Sequence, residues 1–267
     1  MNVFEVTEGD GPIILGQPHG GTHVPAGILA RLNARGRALS DTDWHIHRLY
    51  DGLLDGITTV RSNIHRYVID ANRDPSGISL YPGQNTTSLC PTTDFDGEDI
   101  WEAGQAPAED EILARRASYH TPYHEALAQQ IERVQAKHGV AILYDCHSIR
   151  SIIPHLFEGE LPVFNIGTDN GQTCHNAIES AAHETCLAAP EYDTVLNGRF
   201  RGGWTTRHYA HPAKGAHVIQ MELPQRAYMD EASPWNYRID RAETLRPILD
   251  RILEKLDQIA RSGALDL

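Results

Sequence analysis

The chain has 267 residues, 40% of them hydrophobic, and a formal net charge of −13. That is enough apolar material for a substantial core, and the charge disfavours nucleic acid or an anionic membrane as a partner. No run approaches the roughly 20 apolar residues of a membrane span, and no basic-then-apolar leader is visible, so a cytoplasmic location is expected. Cys90, Cys146, Cys174 and Cys186 form no CxxC pair, which argues against a disulfide framework.

In chain order, Pro12-Ile13-Ile14-Leu15-Gly16 predicts a buried strand over 12–18. It runs into Pro18-His19-Gly20-Gly21-Thr22-His23, whose glycines permit a tight turn. A short helix is expected over 25–35. Another is expected over 42–55, capped by Ser40-Asp41 and carrying Trp44, Ile46, Leu49, Tyr50, Leu53 and Leu54. Strands over 57–62 and 66–70 follow, the second ending in Asp70-Ala71-Asn72-Arg73. The Gly- and Pro-rich stretch 74–107 reads as a long loop bordering a site. Ile112, Leu113, Tyr119, Tyr123, Leu127, Ile131 and Val134 predict a helix over 108–137, kinked or divided at Pro122 and ended by Gly139. The apolar strand 140–146 stops at Asp145-Cys146-His147-Ser148. After a strand over 162–167 and a helix over 173–188, the strand 217–223 ends at Glu222, and an amphipathic helix spans 240–261. Alternating strands and helices predict an α/β layered sheet in a single domain over 1–267.

Several apolar runs thus end in polar groups, and ligands of open α/β sheets bind beyond the carboxyl ends of strands. Two His and a carboxylate, with one position left for water, make a catalytic zinc site. His19 and His147 are the histidine candidates. Asp145, on the side of the strand that His147 occupies, either orients it or reaches the site itself. Asp43 is the expected third ligand, with His23 and His47 as alternatives; His47 also reads as a solvated helix residue. Asn72, Arg73 and Arg66 can hold a carboxylate, although an internal Arg73–Asp70 ion pair explains the cluster equally well. A Glu buried at the end of an apolar strand needs a partner or a task, and Glu222 beside a zinc-activated water can act as general base. Arg201-Gly202-Gly203 with Arg207 reads as an anion-holding turn at a helix start. His120, Tyr123 and His124 around Pro122 either bind metal or, the preferred reading, line a wall of the pocket.

Read together and in order, Pro18-His19-Gly20-Gly21-Thr22-His23-Val24-Pro25, Asp41-Thr42-Asp43-Trp44-His45, Arg66 through Arg73, Tyr119 through His124, Asp145-Cys146-His147-Ser148, Asn197 through Gly203, and Glu222 through Met229 resemble the N-formylglutamate amidohydrolases over nearly the whole chain. That family is similar, more distantly, to zinc carboxypeptidases and aspartoacylases. The resemblance implies an α/β mixed sheet with helices on both faces, zinc-carboxypeptidase-like in arrangement. It implies zinc, or another divalent metal, on His19, Asp43 and His147, with Glu222 catalytic. Asn72 and Arg73, helped by Arg66 and by Arg201 or Arg207, would hold the two carboxylates of a small anionic substrate. The relatives place a zinc-binding Glu three residues after the first His, where this chain has Thr22; Asp43 would take its place. The implied activity is hydrolysis of N-formyl-L-glutamate to formate and L-glutamate, the last step of a histidine-degradation route. The alternatives are another N-acyl amino-acid amidohydrolase, a carboxypeptidase-like enzyme, or a non-catalytic metal or dicarboxylate binder.

Overall fold

The structure is a computed structural model, and it describes residues 2–78, 83 and 85–265. Its strands are β1 (Phe4–Thr7), β2 (Ile13–Gln17), β3 (Thr58–Ser62), β4 (Ala141–Ile149), β5 (Phe164–Gly167), β6 (Thr194–Leu196) and β7 (Ala216–Pro224). The helices are α1 (Ala26–Leu29), α2 (Ala34–Arg37), α3 (Ile46–Tyr50), α4 (Glu109–Arg115), α5 (Thr121–His138), α6 (Asn176–Leu187), α7 (Trp204–His208) and α8 (Ile239–Arg261). One mixed sheet runs in the order β1-β3-β2-β4-β7-β5-β6. Its centre, β3-β2-β4-β7, is parallel, while β1 joins β3 and β5 joins β7 antiparallel.

Strand alternation sorts the core into two layers. Ile142, Tyr144 and Cys146 of β4, with Ile219, Met221 and Leu223 of β7, pack with residues of α3, α6 and α8. Ala141 and Leu143 of β4, with Val218 of β7, face the other way, toward Tyr123, Leu127, Ile131 and Val134 of α5. Helices therefore cover both faces. The same alternation carries Asp145 and His147 of β4, and Gln220 and Glu222 of β7, to the α5 side at the carboxyl ends of the strands. His147 and Glu222 are direct cross-strand partners.

Tertiary contacts override local pattern in three places. No strand forms over 66–70: the chain turns there, Val68 N–H bonding to His65 O and Arg66 closing on Asp70 at 2.7 Å. The apolar Tyr67 and Val68 are buried against Val24, Leu32, Ile100 and Trp101 instead of in the sheet. The helix expected over 42–55 shrinks to α3, whose N-cap is His45 with φ 60°. Asp41 is no cap; it is buried, accepting hydrogen bonds from Tyr67 Oη (2.8 Å) and Phe95 N (2.9 Å). At Pro122 the helical run is divided, as expected: α4 passes into a π-turn (Arg116–His120), and the proline falls in the first turn of α5. Gly139, at φ 75°, ends α5 as expected. The short edge strands β1 and β6 were not predicted, and three or four half-buried residues give little periodic signal. Stretch 74–107 holds no helix or strand among its described residues, and 79–82 and 84 lie outside them.

Candidate metal centre and active site

His19 follows β2, Asp43 stands in the turn before α3, and His147 is near the end of β4. One ligand atom from each lies within 4.8 Å of the others, and all three side chains are buried. Asp43 is tied to both strand ends: its N–H bonds to His19 O at 3.1 Å, and its Oδ2 accepts the Ser148 N–H at 3.0 Å. From Asp43 Oδ2, His147 Nδ1 is 3.5 Å and His19 Nδ1 is 3.9 Å away. Ligands at 2.0–2.2 Å around a tetrahedral ion stand roughly 3.3 Å apart, so a small inward adjustment closes the set.

The outer nitrogens of both rings meet carboxylates. His19 Nε2 is 2.7 Å from Asp70 Oδ1, and His147 Nε2 is 3.2 Å from Asp145 Oδ1. At His19 that pairing fixes the tautomer that leaves Nδ1 as the ligand atom. Asp43, Asp70, Asp145 and Glu222 together outnumber the buried cation Arg66, and Asp43 Oδ1 has no hydrogen-bond partner. A buried anionic cluster with an unsatisfied carboxylate oxygen suits a divalent cation.

The protonation preferences follow from burial and these partners. Burial, then Arg66, lowers His19 below the ordinary range, against the pull of Asp70. Burial also pulls His147 down, but Asp145 and Asp43 outweigh it and raise it well above the ordinary value. A cation at Nδ1 takes the place of that ring's second proton. Asp70 is held well below the usual carboxylate range: burial alone would raise it, and Arg66 and Arg73 more than reverse that. Burial pushes Glu222 up to about 8, opposed by His147 and reinforced by Asp43.

A cleft of about 330 Å³ opens above this centre, lined by His19, Asp43, His147 and Glu222 and by the cations Arg66, Arg73 and Arg199. Asp74, Gly77, Ile78, Asn85–Leu89 and Phe95 form one wall, so stretch 74–107 does border the site.

A sequence model of the family described as N-formylglutamate amidohydrolase matches residues 11–229. The chain belongs to that family. It is 44% identical to the N-formylglutamate deformylase of Pseudomonas aeruginosa over 255 residues, covering 95% of this chain and 96% of the relative. It is 41% identical to the Pseudomonas putida N-formylglutamate deformylase, over 95% of each chain. Among solved structures, an N-formylglutamate amidohydrolase from Ralstonia eutropha superposes with a TM-score of 0.80 at 21% identity, covering 97% of this chain and 99% of that one. A gene product of Agrobacterium tumefaciens gives 0.70 at 18% identity, over 97% and 96%. These two likenesses show the fold, which is consistent with the zinc-carboxypeptidase-like arrangement.

In this N-formylglutamate amidohydrolase family member, the residues expected at the site separate into two groups. His19, Asp43, His147, Glu222, Arg66, Asn72 and Arg73 all line the cleft. His23 and His47 lie outside the metal-ligand cluster. Arg201 and Arg207 do not line the cleft. Arg201 is exposed and bonds to Gly198 O at 3.3 Å, while Arg207 pairs with Asp169 at 3.1 Å. Arg66 is almost wholly buried, pairs with Asp70, and lies 3.6 Å from Asp43, so its charge serves the centre's own carboxylates. The side chain of Asn72 is likewise engaged: Oδ1 accepts the Thr205 N–H at 2.9 Å, and Nδ2 lies 3.1 Å from His147 Nε2. Cys146 is buried in the core and faces away from the cleft.

Three roles at the site were not anticipated. Asp70 partners His19; its signal was the i, i+4 relation to Arg66 within an apolar run. Gln220 bonds Gly203 N through Oε1 at 2.7 Å and reaches Glu222 Oε2 at 3.4 Å; two-residue alternation from Glu222 would have found it. Arg199 takes the cleft position expected of Arg201, its Nε on Leu156 O at 3.0 Å and its Nη2 on Asn85 O at 3.3 Å. Nothing local distinguishes the two arginines of Arg199-Phe200-Arg201.

Proposed function

We propose that this chain hydrolyses N-formyl-L-glutamate to formate and L-glutamate, with zinc or another divalent metal held by His19, Asp43 and His147. The observation that carries the reading is the cross-strand pairing of Glu222 with His147. It sets a general base beside a buried His–Asp–His donor set, under a cleft rich in arginine. The 44% identity to an N-formylglutamate deformylase supports the substrate. A place at the last step of a histidine-degradation route follows from that substrate.

When bound, the metal supplies a Lewis acid that lowers the pKa of water and polarises the formyl carbonyl. Glu222 takes the proton of the attacking water and hands it to the departing amine nitrogen. Gln220, whose amide reaches the Glu222 carboxylate, keeps that group aimed at the centre. Arg73 and Arg199 on the cleft wall hold the substrate carboxylates, and Arg66 holds Asp70 and Asp43 in place.

Formate release from N-formyl-L-glutamate by chelated and by zinc-reconstituted protein tests this, with N-acetyl-L-glutamate alongside. Release that needs the metal and the formyl group is the expected result. Equal turnover of the acetyl substrate points to a broader N-acyl amidohydrolase. No release from zinc-loaded protein refutes the reading in favour of a metal or dicarboxylate binder.

A further inference from the structure

The motif His120-Thr121-Pro122-Tyr123-His124 contains a second histidine pair that the metal centre does not use. Both rings are buried and lie against each other, their centroids 4.3 Å apart. Each points its Nε2 at a backbone carbonyl: His124 at Ala71 O (2.7 Å) and His120 at Arg73 O (3.1 Å). A carbonyl only accepts, so both Nε2 atoms carry the proton. Trp204 meets the His124 ring edge-on at 4.8 Å, and Tyr209 stacks on it with Oη 2.9 Å from Nδ1. The pair is thus seated, and it grips the main chain on both sides of one residue, Asn72.

That residue sits in the turn that supplies the outer partner of His19 and packs beside His147. Asn72 N–H donates to Asp70 Oδ1 at 2.8 Å, the oxygen that meets His19 Nε2. Its side chain spans from Thr205 N to His147 Nε2. Gly203 presses on the amide so closely that a Cβ there would fall 2.3 Å from Nδ2. A shift of this turn would therefore move Asp70, the outer partner of His19, together with the amide that packs beside His147.

We propose that His120 and His124 are positioning residues of the metal centre. They clamp the carbonyls of Ala71 and Arg73, and so hold Asp70 against the outer nitrogen of His19, with the Asn72 amide packed beside His147. The inference rests on the metal-centre reading above. It goes beyond it by giving α5, which offers no ligand, a part in metal affinity. Loss of outer partners typically costs 10–100-fold in metal affinity, and a clamp acting through them should reach that range.

The test measures zinc and cobalt(II) affinity by chelator competition for the parent protein, His124→Leu and His124→Gln. The cobalt absorption spectrum and the thermal melt of each metal-free form are recorded beside it. His124→Leu should bind about 10–100-fold more weakly and shift the cobalt spectrum. His124→Gln places an N–H donor where the ring's Nε2–H stood, and should recover most of the loss. A lower melting temperature with unchanged affinity and spectrum means the pair is merely structural and overturns the clamp. Should His124→Leu fail to fold, His120→Leu carries the same comparison, and undiminished affinity there overturns the proposal. A parent that binds neither ion refutes the metal centre itself, an outcome distinct from a parent that binds and a variant that matches it.

Discussion

Glu222→Gln separates proton handling from every other property of the site. The carboxyl is 7% exposed, and an amide of the same size keeps an oxygen for the Gln220 contact at 3.4 Å. What the amide cannot do is accept a proton. A positioned general base contributes about 10²–10⁴ in rate, equivalent to about 3–5 kcal/mol of barrier. kcat for formate release should fall by that factor with metal content unchanged. Stability of the metal-free protein should move the other way. Burial lifts the folded-state carboxyl from 4.5 to about 8. Between those values the unfolded chain has released a proton that the folded chain still binds, so stability falls as pH rises through this window. Glutamine removes that loss. The chelated variant should gain on its parent from about pH 4.5 to about pH 8, and then hold a constant advantage on the order of a few kcal/mol. Formate assays on zinc-loaded protein and melts of chelated protein across this range read both effects. A variant that keeps more than about a tenth of kcat refutes the base assignment. A chelated variant less stable than its parent at alkaline pH refutes the account of a carboxyl strained by burial.

Asp70→Asn keeps an oxygen for His19 but removes the charge that pairs with Arg66 at 2.7 Å; zinc affinity, read by chelator competition, should drop about 10–100-fold. Because Asp70 titrates well below its ordinary 3.8 in the folded state, its ionised form stabilises the fold above that value and the contribution fades as pH falls through the folded pKa. The stability gap between parent and Asp70→Asn should narrow on acidification, and a gap in urea midpoint that does not change with pH would contradict the ion-pair account. Arg199→Met should lower kcat/KM for N-formyl-L-glutamate by about 30-fold or more, the cost of truncating one partner of a desolvated charge pair. Arg201→Met, whose side chain lies outside the cleft, should stay within about twofold of the parent; equal losses in the two variants would remove Arg199 from substrate binding.

Much of this architecture was legible because it depends on one-residue alternation. The apolar runs 13–17, 141–146 and 217–223 read as buried strands, which the structure pairs in parallel, and two-residue spacing then indicated which side of each strand carried Asp145, His147 and Glu222. His19 and Glu222 stood out because a polar group at the end of such a run has no reason to be there unless it is paired or used. Asp43 was harder to read. A carboxylate in a first helical turn is ordinarily explained by the helix dipole, so Asp43 was named as a ligand against that reading, and the bond from its N–H to His19 O shows how it reaches the centre.

The features that escaped the sequence share one physical property: their partners are remote along the chain. Tyr67-Val68-Ile69 has the composition of a strand, yet Tyr67 and Val68 are buried by α1 and the loop around Ile100, and Ile69 by Leu89 and Cys90, so the segment is free to turn and present Asp70 and Asn72. The carbonyls beside Asn72 are held by His120 and His124, separated from them by 47 and 53 residues. Thr205, on the far side of Asn72, is 133 residues away. Nothing within a helical or strand period links these groups, so a local pattern can nominate each histidine without saying what it holds. The two candidate ligand histidines could be read because each stands at the end of a strand whose burial pattern is written in its neighbours. The turn that carries Asp70 and Asn72 could not, because it is held by groups of α5 and α7 that lie far from it along the chain.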